Sequence, residues 1–224
     1  MYRNRLAMLS IVALLACSST AAAQGQRGRG RGFGMSAEAM RLGLLSVPKV
    51  QEDLKLDADQ KSKIQAIAEQ NRSDSQSAFA DLQNATQEER QKKFAELQEK
   101  SKARGEEAAK LLTKEQLERL DQISLQAQGV RALADEKVAK SLELTGEQKE
   151  KLQSINAEVG AKMREVGFGE GTQEKRAELQ KELTDKSMAV LSDGQRSQFA
   201  KMQGEKLDLP PGAGFGGGGR RRPQ

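Results

Sequence analysis

The chain has no histidine and no tryptophan, and only one cysteine, one tyrosine and four prolines in 224 residues. Aromatic residues make up 3% of it. Without histidine, the commonest general base and the commonest zinc ligand are missing. With Cys17 alone, no intrachain disulfide can form and no cysteine–histidine nucleophile pair can be assembled. Carboxylates abound, yet Glu88-Glu89 and Glu106-Glu107 lie in long polar stretches, where a charge run is a solvated helix face. No catalytic residue, cofactor or metal ligand is expected, so the chain reads as a binding or structural protein rather than an enzyme.

What the sequence does contain is one short block, four times over. Each copy is leucine, a helix-capping residue, glutamine three residues past the cap, then apolar residues seven and ten past it. The copies are Leu56-Asp57-Gln60-Ile64-Ile67, Leu112-Thr113-Gln116-Leu120-Ile123, Leu144-Thr145-Gln148-Leu152-Ile155 and Leu191-Ser192-Gln195-Phe199-Met202. Asp, Thr and Ser side chains accept from the free N–H groups of a first helical turn. A glutamine at the third helical position reaches back to the cap's own N–H, completing a capping box. Glutamine and the two apolar residues are spaced four and three apart and share one face. Four helix starts, and the buried side of each, are therefore written in the sequence.

Displacing the chain by 88 residues superposes Val50, Leu54, Leu56, Gln60 and Ile67 on Val138, Leu142, Leu144, Gln148 and Ile155. The second and fourth blocks are offset by 79. The pattern predicts a duplication: each unit is a short lead-in helix, a long helix, a reverse turn, a returning helix and a closing helix. In the first unit Ser46 is expected to cap the lead-in, the long helix runs from Asp57 to about Asn84, and Thr86 with Glu89 starts the return. In the second, Gly167–Gly171 is a loop and Thr172 caps the return. No segment alternates with the period of a strand. The fold class is all-α, with long antiparallel helical hairpins in two tandem units.

The ends differ from the body. Arg3 and Arg5, the apolar stretch Leu6–Ala16 and the site Ala21-Ala22-Ala23 read as a secretory signal over residues 1–23. The apolar stretch is shorter than the roughly 20 residues that span a bilayer. Two products are consistent with it: a periplasmic or secreted chain released near Ala23, or a lipoprotein anchored at Cys17, since Leu14-Leu15-Ala16-Cys17 resembles a lipobox. Residues 24–35 are a Gly/Arg-rich linker carrying Arg27, Arg29 and Arg31, and residues 208–224 are a Pro/Gly/Arg tail carrying Arg220, Arg221 and Arg222. Neither buries enough apolar surface to offset ordering, so both are expected to be disordered. Between them lie helical hairpin unit 1, residues 36–130, and unit 2, residues 131–207. The formal charge of +5 belongs to the ends: without Arg3, Arg5 and the six tail arginines, 29 basic residues face 32 acidic ones, about −3.

The block, purest at Leu112–Gln116 and Leu144–Gln148, resembles the LTxxQ-motif family of bacterial periplasmic proteins, of the Spy and CpxP kind. That resemblance spans about residues 46–204. It implies a small exported protein of long antiparallel helices, commonly dimeric, acting as an ATP-independent chaperone for unfolded envelope proteins or as a partner of a stress-sensing kinase. The chain departs from the pattern in holding two motif pairs, so that an intrachain pseudo-dimer can stand in for a homodimer. It also lacks histidine for a zinc role, adds Gly/Arg tails, and places Asp57 and Ser192 where threonine is usual.

The partners expected are unfolded or misfolded envelope proteins and an anionic envelope surface. Phe79, Phe94 and Leu97 on the long arms, with the glycine-flanked Phe168, are candidate client contacts; for Phe94 and Leu97 ordinary packing between the arms is the competing reading. Phe33 and Phe215 share the Gly-Phe-Gly setting of Phe168. Arg27, Arg29, Arg31, Arg220, Arg221 and Arg222 are candidates for anionic contact. With three arginines per tail and an export signal, the composition argues against nucleic acid. The alternative to a chaperone is a tethering protein held by its basic tails, or a regulatory partner of a membrane sensor kinase.

Overall fold

A computed structural model describes residues 36–82, 85–167, 169, 171–210 and 213, without the side chains of 79–81. Among the described residues every regular element is helical: α1 Ala37–Leu45, α2 Pro48–Asp53, α3 Ala58–Asp81, α4 Gln87–Ala109, α5 Lys114–Gln128, a 3₁₀ segment Gly129–Ala134, α6 Glu136–Ser141, α7 Gly146–Val166, α8 Gln173–Val190 and α9 Asp193–Gln203. None of these helices is long and apolar enough to cross a membrane.

Apolar side chains gather in two clusters. Met40, Leu44, Leu45, Val50, Leu54, Leu56, Ile64, Ala108, Leu120 and Ile123 are central to the first. Val130, Leu133, Val138, Leu142, Leu144, Leu152, Val159, Leu179, Leu183, Leu191 and Phe199 are central to the second. The residues seven past each cap are all interior: Ile64 and Leu120 are 0% exposed, Leu152 2% and Phe199 3%. Leu125 of α5 packs on the second cluster while Leu120 and Ile123 belong to the first, so α5 is common to both.

Polar contacts fix the directions of the long helices. The start of α3 meets the end of α4 where Gln60 donates to Leu111 O at 2.8 Å, and further out Ser101 donates to Asn71 at 3.0 Å. The two helices therefore run side by side in opposite senses. Likewise Gln148 donates to Val190 O at 3.0 Å, and Lys162 to Glu182 at 2.8 Å, placing α7 and α8 in opposite senses.

Three details correct the sequence reading. Ser46 does not cap α2; it closes α1, where its N–H reaches Gly43 O, the following Val47 N–H reaches Leu44 O, and its hydroxyl donates to Leu42 O at 3.1 Å. Val47 takes the cap position with no side-chain bond, which Pro48 tolerates because it has no N–H to satisfy. Thr172 is not a side-chain cap either: its backbone is already helical (φ −88°, ψ −10°), and its hydroxyl donates to Gly169 O at 2.8 Å. The third correction is α1 itself, capped by Ser36 accepting from Ala39 N at 3.1 Å, a helix the sequence reading left out. It buries Met40, Leu42, Leu44 and Leu45.

The docking of α1 explains a glycine inside α4. A Cβ on Gly105 would overlap the backbone of Glu38, so only hydrogen at that position lets α1 approach. Gly160 in α7 has no such neighbour, its nearest being Arg164 Nη1 at 3.9 Å. An alanine normally gains about 1 kcal/mol over glycine in a helix interior. Gly160→Ala should therefore stabilise the protein by up to about 1 kcal/mol, whereas Gly105→Ala should destabilise it by about 1–3 kcal/mol through overpacking. Urea denaturation of the two variants checks the opposite signs.

Candidate functional site: the paired capping boxes

All four blocks form the expected boxes. Asp57 accepts from Gln60 N at 2.7 Å while Asp57 N donates to Gln60 Oε1 at 3.1 Å. Thr113 with Gln116, Thr145 with Gln148, and Ser192 with Gln195 repeat the reciprocal pair. Leu56, Leu144 and Leu191 are buried, and Leu112 is half-buried. The leucines of the first and third blocks also close the preceding helix. Lys55 and Glu143 both sit at φ 51°, and the next N–H, of Leu56 or Leu144, returns to Gln51 O at 3.0 Å or Ala139 O at 2.9 Å. That is a left-handed helix stop with its apolar residue turned inward.

The boxes are joined in twos through their glutamines, which the sequence did not disclose. Gln60 Nε2 donates to Gln116 Oε1 at 2.8 Å and to Leu111 O at 2.8 Å. Gln116 Nε2 donates to Gln60 Oε1 at 3.2 Å and to Leu54 O at 3.1 Å. In the second cluster Gln148 Nε2 donates to Gln195 Oε1 at 2.8 Å and to Val190 O at 3.0 Å. Gln195 Nε2 donates to Gln148 Oε1 at 3.1 Å and to Leu142 O at 3.1 Å. The carbonyls are equivalent: two residues before the second cap and three before the first, in both cases.

Each amide therefore spends both donors and both acceptor sites, the full capacity of the group. Its oxygen serves the cap of its own helix and the partner glutamine; its nitrogen serves the partner and a carbonyl beside the other cap. Glutamate could complete a capping box but has no N–H to give. The fifth box illustrates this. Among the described residues Thr86 with Glu89 faces no second box, and there the residue is glutamate. Its carboxyl is held below the usual range by the Thr86 backbone and side chain.

Charged pairs brace the helices beyond the boxes. Arg119 of α5 forks onto Asp53 at 2.7 and 3.1 Å, and Arg104 of α4 onto Asp74 of α3 at 2.5 and 3.2 Å. Between α7 and α8 a square of four charges forms: Lys162 with Glu158 at 2.9 Å and Glu182 at 2.8 Å, and Lys186 with the same two at 2.9 and 2.8 Å. Lys162 and then Lys186, both donating hydrogen bonds, hold the Glu182 carboxyl down at about 2.

Of the candidate contact residues, Phe94 and Leu97 are half-buried on α4 and belong to neither cluster. The Phe79 side chain, Phe168, Phe33, Phe215, Cys17, the signal over 1–23, the linker arginines Arg27, Arg29 and Arg31, and Arg220, Arg221 and Arg222 lie outside the described residues. Comparison with protein-family models, curated proteins and solved structures finds no match for this chain.

Two outcomes follow from this geometry. Gln116→Glu or Gln148→Glu should cost about 1–3 kcal/mol at pH 7, because the carbonyls and the partner oxygen lose their donors. Gln148→Glu with Gln195→Glu should cost more than the sum, since facing carboxylates repel, and acidification should restore part of it. Glu89→Gln should stay within about 0.5 kcal/mol; chemical denaturation at two pH values separates these cases. For Glu182, a folded pKa below its ordinary 4.5 means that its contribution is complete above about 4.5 and fades as pH falls towards about 2. Carboxyl NMR should find its midpoint near 2, moving upward in molar salt as the square is screened; a midpoint near 4.5 would show that the square does not form.

Proposed function

We propose that the chain is a tandem of two LTxxQ-type hairpin units, exported from the cytoplasm, that works as an ATP-independent chaperone or envelope stress-response adaptor. It holds unfolded or misfolded envelope proteins transiently on a helical surface. The observation that carries this reading is the equivalence of the two glutamine pairs, with reciprocal capping boxes at the same places, equivalent partner carbonyls and the same left-handed stop at Lys55 and Glu143. It supports descent of both halves from one motif pair of the family the block resembles.

The surface suits transient holding. Between Ile67 and Leu82 no described side chain of α3 is buried, and the buried residues of α4 are Gly105 and Ala108, both near its end. The outer arms thus present a charged field with half-buried apolar residues, Phe94 and Leu97, set in it. Charges draw in an unfolded chain over a distance of about a Debye length, and small apolar areas hold it weakly enough for release.

The test is light scattering from a reduced or heat-unfolded protein with residues 24–224 added at rising ratio and no nucleotide. Suppression of aggregation near stoichiometric amounts is expected. A folded, helical chain that leaves aggregation unchanged would overturn the holdase reading and favour a scaffold or a dedicated sensor partner.

A further inference from the structure

After α9 the chain turns back and lies across the first cluster. Gly204 makes the turn at φ 62°, in left-handed backbone with its N–H on Lys201 O at 3.1 Å. A side chain there would be strained in backbone and would collide with Gln122. Residues 206–210 have no helical bonding, and exposure alternates along them: Leu207 and Leu209 are half-buried while Lys206, Asp208 and Pro210 are exposed. That is an extended segment with one face down. Leu207, Leu209 and Ala213 pack against the cluster that contains Val50 and Ile123.

The segment is held mainly by its backbone. Gln126 Nε2 donates to Gln203 O at 2.6 Å and Glu205 O at 2.7 Å, and its Oε1 accepts from Leu207 N at 2.8 Å. Arg119 Nη1 donates to Glu205 O at 2.9 Å. Among the described residues one ion pair, Lys49 with Asp208 at 3.1 Å, reads a side-chain charge of the segment, and Asp208 is 95% exposed there. The segment does not fill its seat: a cleft of about 510 Å³ remains, lined by Gln126, Ala127, Ala200, Leu207, Leu209 and Ala213 among others. A seat that reads peptide groups plus apolar residues at alternate positions selects a class of extended segment rather than one sequence.

We propose that this groove of α5 and α9 is a binding site for extended apolar-x-apolar segments of unfolded chains, and that residues 204–210 are its resident competitor. The proposal rests on the chaperone reading and names its capture site and its regulation. A short tether presents a segment at an effective concentration of about millimolar, so only clients exposing many such stretches displace it. The strap thereby keeps the groove closed to folded proteins and to isolated peptides below about that concentration.

The experiment uses the full chain and a fluorescein-labelled peptide with the sequence of residues 203–213. Leu207→Ser with Leu209→Ser in the chain releases the strap; by anisotropy the peptide should bind this variant at least tenfold more tightly than the unmodified chain. The same peptide with serine at both leucine positions should not bind, and Gln126→Ala in the released chain should abolish binding. No peptide binding by a released chain of unchanged circular dichroism would overturn the proposal. Should the double variant lose helix, the unmodified chain decides: excess unlabelled peptide should speed exchange of the Leu207 amide, and an unchanged rate would refute displacement. Aggregation measured on the same samples separates the two claims. Peptide binding without suppression keeps the groove and removes the holdase; suppression without peptide binding does the reverse.

Discussion

A helix that starts in a small protein leaves its first N–H groups without partners, and the carbonyls just before it are in the same position. In this chain four helix starts are brought together in twos, and the two glutamine amides of each pair satisfy both kinds of group at once. The meeting is possible because each oxygen accepts twice and each nitrogen donates twice. It fixes the depth at which α3 meets α5, and α7 meets α9. That depth places Ile64 beside Leu120 in one cluster and Leu152 beside Phe199 in the other. Hydrophobic burial supplies most of the stabilisation, but it is non-directional; the glutamines set the register in which it happens.

The rest of the molecule follows from how little apolar surface remains. Close to the glutamine pairs the clusters are dense, closed by α1 in one half and by Val130, Ala132 and Leu133 of the 3₁₀ segment in the other. Away from them α3 and α4 are held by polar bridges, Asn71 with Ser101 and Asp74 with Arg104, whereas α7 and α8 keep Val159, Leu179 and Leu183 buried beside the Lys162–Glu158–Lys186–Glu182 square. Half-exposed ionic bridges contribute little each. Regions with few buried contacts open at lower free energy than the global transition. The outer parts of α3 and α4 and the strap are thus the parts able to move while the glutamine-locked base stays closed. The proposed holding of unfolded chains would use that division between a fixed frame and adaptable contact surfaces.

Helix starts and the interior position seven residues on were legible in the sequence because both are local. A cap acts on N–H groups two or three residues away, and the helical period carries the rest. The glutamine pairing was not legible, since Gln60 and Gln116 are separated by 56 residues and a box is complete without a partner. Thr172 has the composition of a cap, but a helical backbone at that residue turns its hydroxyl back to Gly169. Ser46 stands before Pro48 and looks like a start, while the preceding helix claims it as an end. The strap was hidden by its neighbours: Leu207 and Leu209 alternate like a half-buried strand, yet Pro210 and the glycines beyond it read as a tail. Gln126, the residue that seats the strap, carries no motif, and only the tertiary fold identifies it.

The central claim is that the four block glutamines are mutually bonded amides rather than isolated capping groups. Side-chain amide exchange in nitrogen-labelled protein reads this directly. The account predicts slow exchange at Gln60, Gln116, Gln148 and Gln195, with Gln148→Glu releasing Gln195 and leaving Gln60 and Gln116 protected. Exchange at all four as fast as at a solvated glutamine, or loss of protection in both clusters from that single substitution, would contradict it.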